Sequence, residues 1–216
     1  MNSQRIIDLA SLIKKDNVVV DVGTDHGYLP IYLIKNKITN KVLASDISKN
    51  ALDNARKNIA KYNYNSQIKL FVSDGLENVP KEYTTIVISG MGTDTIKHIL
   101  KNVSEVPNII LQSNTKHEQL RNYMMNKGYK IEKELICYQN NKFYPIISYV
   151  IGKEKLEDYE IKFGKSYNIV YYKRLKQKYI NILNNMPEQK NGKIKENIKQ
   201  LNLLIKKSRQ WISFHA

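Results

Sequence analysis

Cysteine is almost missing from this 216-residue chain, which carries one, Cys137. A lone thiol rules out an internal disulfide framework and fits a reducing compartment. Long apolar runs are missing too: none approaches the ~20 residues needed to cross a bilayer. The opening "MNSQRIIDLASLIKKDN" spaces its apolar residues like a helix and lacks the core of a signal peptide. A soluble, cytoplasmic protein without a membrane partner is expected. Metal-ligand spacing is also absent, because His26, His98, His117 and His215 are scattered and no Cys/His pair is suitably placed, so no metal is expected. No internal repeat or low-complexity segment occurs. Acidic residues are in short supply, with 20 Asp+Glu against 35 Lys+Arg and a formal net charge of +15. The excess is uneven: residues 1–150 hold 20 basic against 14 acidic groups, whereas residues 151–216 hold 15 against 6. Such a surplus suits a polyanionic partner, RNA or DNA. The competing explanation is compositional bias toward Lys, Asn, Ile and Tyr.

What is present reads as an α/β chain. β-Branched runs fall at 17–23, 41–46, 68–74, 84–90 and 108–114, alternating with helical stretches at 28–36, 48–62, 94–102 and 115–126. Ser48 is a suitable N-cap for the second of these helices. The apolar strands predict burial on both faces. After Gly128, "YKIEKELICYQ" and "KFYPIISYVIG" flank Asn140-Asn141 and predict an antiparallel hairpin at a sheet edge. Five parallel strands and a terminal hairpin form the layout of a Rossmann-like class I methyltransferase sheet, whereas dehydrogenases usually add a sixth parallel strand. The tail repeats apolar residues at heptad spacing, through Tyr172, Leu175, Tyr179, Ile182 and Met186, then Ile194, Ile198, Leu201, Ile205, Ser208 and Ile212. "PEQKNG" (187–192) supplies a turn, so a coiled-coil helical hairpin is expected. The resulting division is 1–153 for the α/β domain and 154–216 for the hairpin.

The chemistry gathers at strand ends. "DVGTDHGYLP" (21–30) follows a strand with Asp-x-Gly-x-x-x-Gly spacing, and Gly23 and Gly27 suit a sharp turn touching a ligand. Asp46, followed by Ile47, closes the second strand where an acid can take both ribose hydroxyls. Asp74-Gly75 closes the third, where an acid can accept from an adenine amine. All lie on the carboxyl edge where open α/β sheets bind ligands, although each Asp alone could be a helix N-cap. Neither Gly-x-Gly-x-x-Gly nor Gly-Lys-Ser/Thr occurs, and Asp25 would repel a pyrophosphate. S-adenosylmethionine, with its sulfonium and amino group, fits acids better, and Asp21 is the candidate for its cationic end. The tail interleaves Lys173, Arg174, Lys176, Lys178, Lys199, Lys206, Lys207 and Arg209 with Tyr171, Tyr172 and Trp211, suiting phosphate contacts and base stacking. The bland alternative is an ordinary solvated helical exterior.

"VDVGTDHGYLPIYL" (20–33), "SDISKNALDNARKNI" (45–59), "SDGLENV" (73–79), "ISGMGTDTIKHIL" (88–100) and "ILQSN" (110–114) together resemble the bacterial tRNA (adenine-22-N1)-methyltransferase family over roughly the first 150 residues. The resemblance implies S-adenosylmethionine as cofactor, tRNA as substrate, and methylation of adenine N1. The chain departs from the family pattern at Thr93, where a second glycine is usual, at Ser113, where Pro is frequent, and at Gly27, where Ala is frequent. Thr93 could narrow the approach to the base or cap the next helix.

In that setting Asp25 could accept from adenine N6 and balance the developing charge, while His26 orients it or relays a proton. Tyr28 could stack on the base. The opposing possibility is that Asp25 caps the helix near Gly27 and His26 is packed. The Asn/Asp-Pro-Pro-aromatic grip on an exocyclic amine is absent. Ser89-Gly90-Met91-Gly92 stands there instead, with Gly90 assigned to the cofactor, Met91 to the face of the base, and Gly92 to the substrate or to a tight turn. Arg5 and Asn114 are further substrate candidates, Arg5 being equally able to bind phosphate or solvent. Lys173, Arg174, Lys206 and Arg209 are the tail's candidates. No protein partner is expected and a monomer is. Competing functions are a non-catalytic RNA-binding protein on a methyltransferase scaffold, whose RNA affinity would ignore Asp25→Ala, and a small-molecule or protein methyltransferase, whose basic tail would be dispensable.

Overall fold

The computed structural model describes residues 3–187 and 191–215. In chain order the elements are α1 (Gln4–Ala10), β1 (Val19–Val22), α2 (Tyr28–Lys35), β2 (Val42–Asp46), α3 (Lys49–Ala60), β3 (Ile68–Val72), β4 (Thr85–Met91), α4 (Thr93–Ile99), β5 (Asn108–Ser113), α5 (His117–Asn126), β6 (Tyr129–Gln139), β7 (Lys142–Ile151), α6 (Asp158–Phe163), α7 (Ile169–Asn184) and α8 (Gly192–His215). Contacts divide them into two units, one of residues up to Lys133 with Cys137–Glu154, the other of Lys155 onward with Glu134–Ile136.

The first unit is one seven-stranded sheet in the order β3-β2-β1-β4-β5-β7-β6. β1 to β5 are parallel, and β7 runs antiparallel to β5, as the hairpin pattern requires. Asn140 and Asn141 have φ of 51° and 60°, the left-handed pair that a two-residue hairpin turn demands. Val19, Val20, Leu43, Ile86, Ile88, Ile109 and Leu111 are buried on both faces of the sheet. Edge strands β3 and β6 are exceptions, and Val72 of β3 stands exposed. Ser48 caps α3, accepting a hydrogen bond from Ala51 N. The chain leaves β1 toward β2 on one side and reaches β4 on the other. That reversal of strand order opens a cleft beyond the carboxyl ends of β1 and β4.

The second unit pairs α7 with α8. The two helices share a groove lined by Lys173 and Ile180 from α7 and by Asn202 and Arg209 from α8. The buried seam of α8 is Asn197, Leu201, Leu204, Ile205 and Ser208. The expected heptad repeat is broken on both helices, since Ile182 of α7 and Ile212 of α8 are exposed. Leu204, not counted in that reading, is buried in their place. The short α6, begun by a capping box between Glu157 and Glu160, was not evident in the sequence. Part of the expected turn, residues 188–190, lies outside the described residues. Among the described residues no helix is long and apolar enough to cross a membrane, and no three His, Cys, Asp or Glu side chains gather as metal ligands.

Candidate active site

The turn after β1 is held from β2: Gly23 N and Thr24 N both donate to Ser45 O, at 2.8 and 3.0 Å. Gly23 and Gly27 have φ of 76° and 72°, a region open to glycine at little cost. A Cβ on Gly23 would also strike the Met91 methyl group. Asp21, near the end of β1, is only 6% exposed. Burial pushes its carboxyl up to about 6, the Thr24 hydroxyl opposing the rise and the charge of Asp46 adding to it. Among the described residues no Lys, Arg or His pairs with it, so the site holds a buried acid in want of a cation.

Asp46 ends β2 and uses both oxygens. Oδ1 accepts from Ser48 N at 2.8 Å and Oδ2 from Asp25 N at 3.2 Å. Ile47 beside it is 71% exposed, an apolar surface that a nucleoside could cover. β3 is tied to the same point, since Ser73 N donates to Asp46 O at 3.0 Å. Asp74 stands exposed 3.9 Å from His98 Nε2 and lines a cavity of about 630 Å³ with Leu76, Lys81, Tyr83 and Ile99. Gly75 has φ of 56°, its carbonyl accepts from Ser45 Oγ at 2.9 Å, and a Cβ there would press Ile99 at 3.0 Å. Three acids at adjacent strand ends, one of them buried and without a cation, fit a nucleoside with a cationic end.

Asp25, His26 and Tyr28 form the lip of this turn. Asp25 does not cap α2: Gly27 is the N-cap, in the left-handed conformation, and receives no side-chain cap. Asp25 itself holds φ of 48°, a conformation unfavourable for a residue with a side chain. Its carboxylate is exposed and lies 3.4 Å from His26 Nε2. The His26 ring tilts against Tyr28 with centroids 5.3 Å apart, and its backbone carbonyl accepts from Asn58 Nδ2 at 3.1 Å. The imidazole is therefore not packed away, as one reading of the sequence allowed.

Across the cleft, β4 is bulged between Ser89 and Met91 with Gly90 at φ of 83°. A bulge breaks the ladder, and two side chains of the β5 end replace the lost bonds. Gln112, wholly buried, accepts from Gly90 N at 3.0 Å and Ser89 Oγ at 3.1 Å through Oε1. Its Nε2 donates to Asn114 Oδ1 at 3.0 Å, and Asn114 Nδ2 donates to Gly90 O at 2.7 Å. Arg5 joins this network: Nη1 reaches Gln112 Oε1 at 3.5 Å and the guanidinium sits 5.8 Å from the Tyr144 ring centre. Met91 bears on Gly23, Gly92 is the N-cap of α4, and Asn114 faces Gly90. Thr93 neither narrows the cleft nor caps the helix. It is buried, and its Oγ1 is bonded to Ser113 Oγ at 2.8 Å and Thr115 O at 2.6 Å. Gln112 escaped the sequence reading, although an amide directly after the apolar run Ile109-Ile110-Leu111 of a buried strand was a signal.

The family described as "Methyltransferase domain" matches residues 2–147. The chain belongs to it. Within this methyltransferase family, the chain is 31% identical over 150 residues to a tRNA (adenine(22)-N(1))-methyltransferase of Bacillus subtilis, covering 67% of this chain and 63% of that protein. The matched stretch thus spans somewhat under two thirds of that relative's length. Two solved structures align over 95% of the chain. Mycoplasma capricolum TrmK in complex with S-adenosyl-homocysteine is 33% identical, with a TM-score of 0.82 and 98% of its own chain covered. Streptococcus pneumoniae Sp1610 in complex with S-adenosyl-L-methionine is 25% identical, with a TM-score of 0.86 and full coverage.

In the second unit of this methyltransferase-family chain, three of the four tail candidates converge. Lys173, Lys206 and Arg209 line one groove of about 470 Å³ with Lys176 and Asn202, over a floor that includes Ile180 and Ile205. Arg174 is not with them but borders another hollow with Lys178 and Asn181. Tyr171 and Tyr172 are buried and cannot stack on a base; the Tyr172 hydroxyl donates to Gly164 O at 2.9 Å.

Proposed function

We propose that this chain is an S-adenosylmethionine-dependent tRNA methyltransferase that modifies N1 of adenine 22, acting as a cytoplasmic monomer with tRNA as its partner. The observation that carries the reading is the bond from Asp25 N to Asp46 Oδ2, 3.2 Å, which joins the acid suited to a ribose to the lip suited to a base. When bound, S-adenosylmethionine supplies an electrophilic methyl group. Asp21 would meet its cationic end, Asp46 its ribose, Ile47 and Asp74-Gly75 its adenine, with the Gly23–Gly27 turn beside it and the open face of Gly90 leaving room for its approach. The acceptor N1 has an in-plane lone pair and needs no prior deprotonation, so the protein's task is placement and charge balance. Asp25 accepts from N6 and offsets the positive charge that develops on the base. His26 orients Asp25, and Tyr28 stacks on the purine. Gly90, fixed by Gln112 and Asn114 with Arg5 behind them, gives the base a flat wall, and Met91 and Gly92 bound it. The tail groove takes phosphates through Lys173, Lys206 and Arg209, with Arg174 an outlying contact. An adenine that is paired or stacked must also be extruded to reach the lip.

The test is incubation of the purified chain with unmodified tRNA transcript and labelled cofactor, followed by mass mapping of the nucleosides. 1-Methyladenosine at a single position is expected, and Asp25→Ala should slow its formation sharply. Folded, cofactor-saturated protein that yields no 1-methyladenosine would overturn the assignment.

A further inference from the structure

Helix α3 buries Leu52, Ala55 and Ile59 along one face. Asn58 follows Ala55 by three residues and precedes Ile59, so it borders that apolar stripe and is itself partly buried. An amide in such a place needs a partner. It has one: Nδ2 donates to the His26 carbonyl at 3.1 Å, and among the described residues the side chain makes no other bond. The contact joins α3 to the lip of the β1 turn across 32 positions of sequence.

The lip needs such a tie. Asp25 and Gly27, on either side of His26, hold φ of 48° and 72°. A residue with a side chain keeps that left-handed conformation only where its surroundings impose it. Three bonds impose it here. Gly27 N donates to Thr24 O at 3.0 Å within the turn, Asp25 N donates to Asp46 Oδ2 at 3.2 Å, and Asn58 holds the carbonyl of His26. That carbonyl belongs to the peptide plane that joins the lip to α2, and the tilt of the plane sets the direction in which His26 and Tyr28 leave the backbone. α3 leaves little slack there, since a Cβ on Gly27 would meet Ala55 Cβ at 3.3 Å. The two ties from outside the turn differ in one respect. Asp46 is the acid suited to a ribose, so a bound cofactor shares its oxygens. Asn58 has no second partner, and its hold on the lip is independent of the cofactor.

We infer that Asn58 is a positioning residue for methyl transfer: by fixing the His26–Gly27 peptide it aims Asp25, His26 and Tyr28 at the acceptor base, without taking part in cofactor binding. The inference rests on the tRNA reading above and adds to it the residue that holds the lip.

Asn58→Leu removes the donor at nearly constant volume, and Asn58→Asp keeps the shape but sets a carboxylate against the carbonyl. Both are followed by methyl transfer to tRNA transcript, by calorimetry with S-adenosylmethionine, by circular dichroism and by proton NMR of the four histidine rings, with His26 assigned from His26→Gln. The rate at saturating tRNA should fall about tenfold in both variants, with the cofactor Kd and the KM for tRNA unchanged. The His26 ring resonance should move while those of His98, His117 and His215 stay. An unchanged rate, or an unmoved His26 resonance, in a folded variant would overturn the inference. So would a loss of cofactor affinity as large as the loss of rate, which would assign Asn58 to the cofactor turn as a whole. Should Asn58→Leu fail to fold, Asn58→Asp decides, and unfolding of both would overturn the inference by making the bond a requirement of the fold. Failure of the tRNA reading itself would instead leave the unsubstituted chain without 1-methyladenosine, with the His26 resonance still reporting on Asn58.

Discussion

The strand-end cleft and the helical groove are both polar, but they hold their polar groups differently. In the cleft several are held from more than one side. Asp46 is engaged at both oxygens, Gln112 at both ends of its amide, and Asn114 between Gln112 and Gly90. In the groove, Lys173, Lys206 and Arg209 project from helix surfaces into solvent on long flexible stems. Bond-making requires atoms placed within about half an ångström, whereas phosphate recognition needs charge of the right sign within reach. The contrast predicts that single substitutions in the cleft act on turnover, while the groove yields only to several at once and acts on affinity.

The sharpest break should come at the lip. Asp25→Ala is expected to lower kcat by about 100-fold or more with cofactor affinity unchanged, read by single-turnover assays and calorimetry. Next, replacing Lys173, Lys176, Lys206 and Arg209 together by Ala should weaken tRNA binding by about 100-fold. It should also reduce the slope of log affinity against log salt by about 4, sparing turnover at saturating tRNA. An intact salt slope would mean that RNA does not use this groove.

Gln112→Glu separates the two ends of one buried amide. A carboxylate still accepts from Gly90 N, Ser89 and Arg5, but cannot donate to Asn114, so the Asn114 amide is left without its guide. About a tenfold fall in kcat with unchanged cofactor affinity is expected. Gln112→Leu, which removes every one of these bonds, should also cost stability, about 2 kcal/mol in denaturant unfolding.

The mildest effect concerns Asp21. Its folded value of about 6 lies above the ordinary 3.8, so the folded chain favours the protonated acid. Stability is therefore fully present below about pH 4 and is lost as pH rises to about 6. A cationic ligand needs the charged form, so cofactor affinity should rise over the same window, with proton release on binding below pH 6. Calorimetry in buffers of different ionisation enthalpy measures that release, and Asp21→Asn should eliminate it. Proton release that persists in the variant would assign the titration to another group.

Much of this was legible along the chain because it depends on neighbours in sequence. Alternating β-branched runs and helical spacings marked the strands, Ser48 its helix, Asn140-Asn141 the hairpin, and the place of an acid near each of the first three strand tips followed from them. The charge of residues 151–216 needed only counting. The contacts that shape the site were not legible, because they join residues far apart: Gln112 to Gly90 across 22 positions, Arg5 to Gln112 across 107. The same holds for the burial of Tyr171 and Tyr172, the exposure of Ile182 and Ile212, and the inward turn of Thr93. A residue's type and spacing determine which backbone it favours and which face it can offer. Whether that face meets solvent, a bulge or another helix depends on the packing of distant segments, and only the tertiary structure decided it.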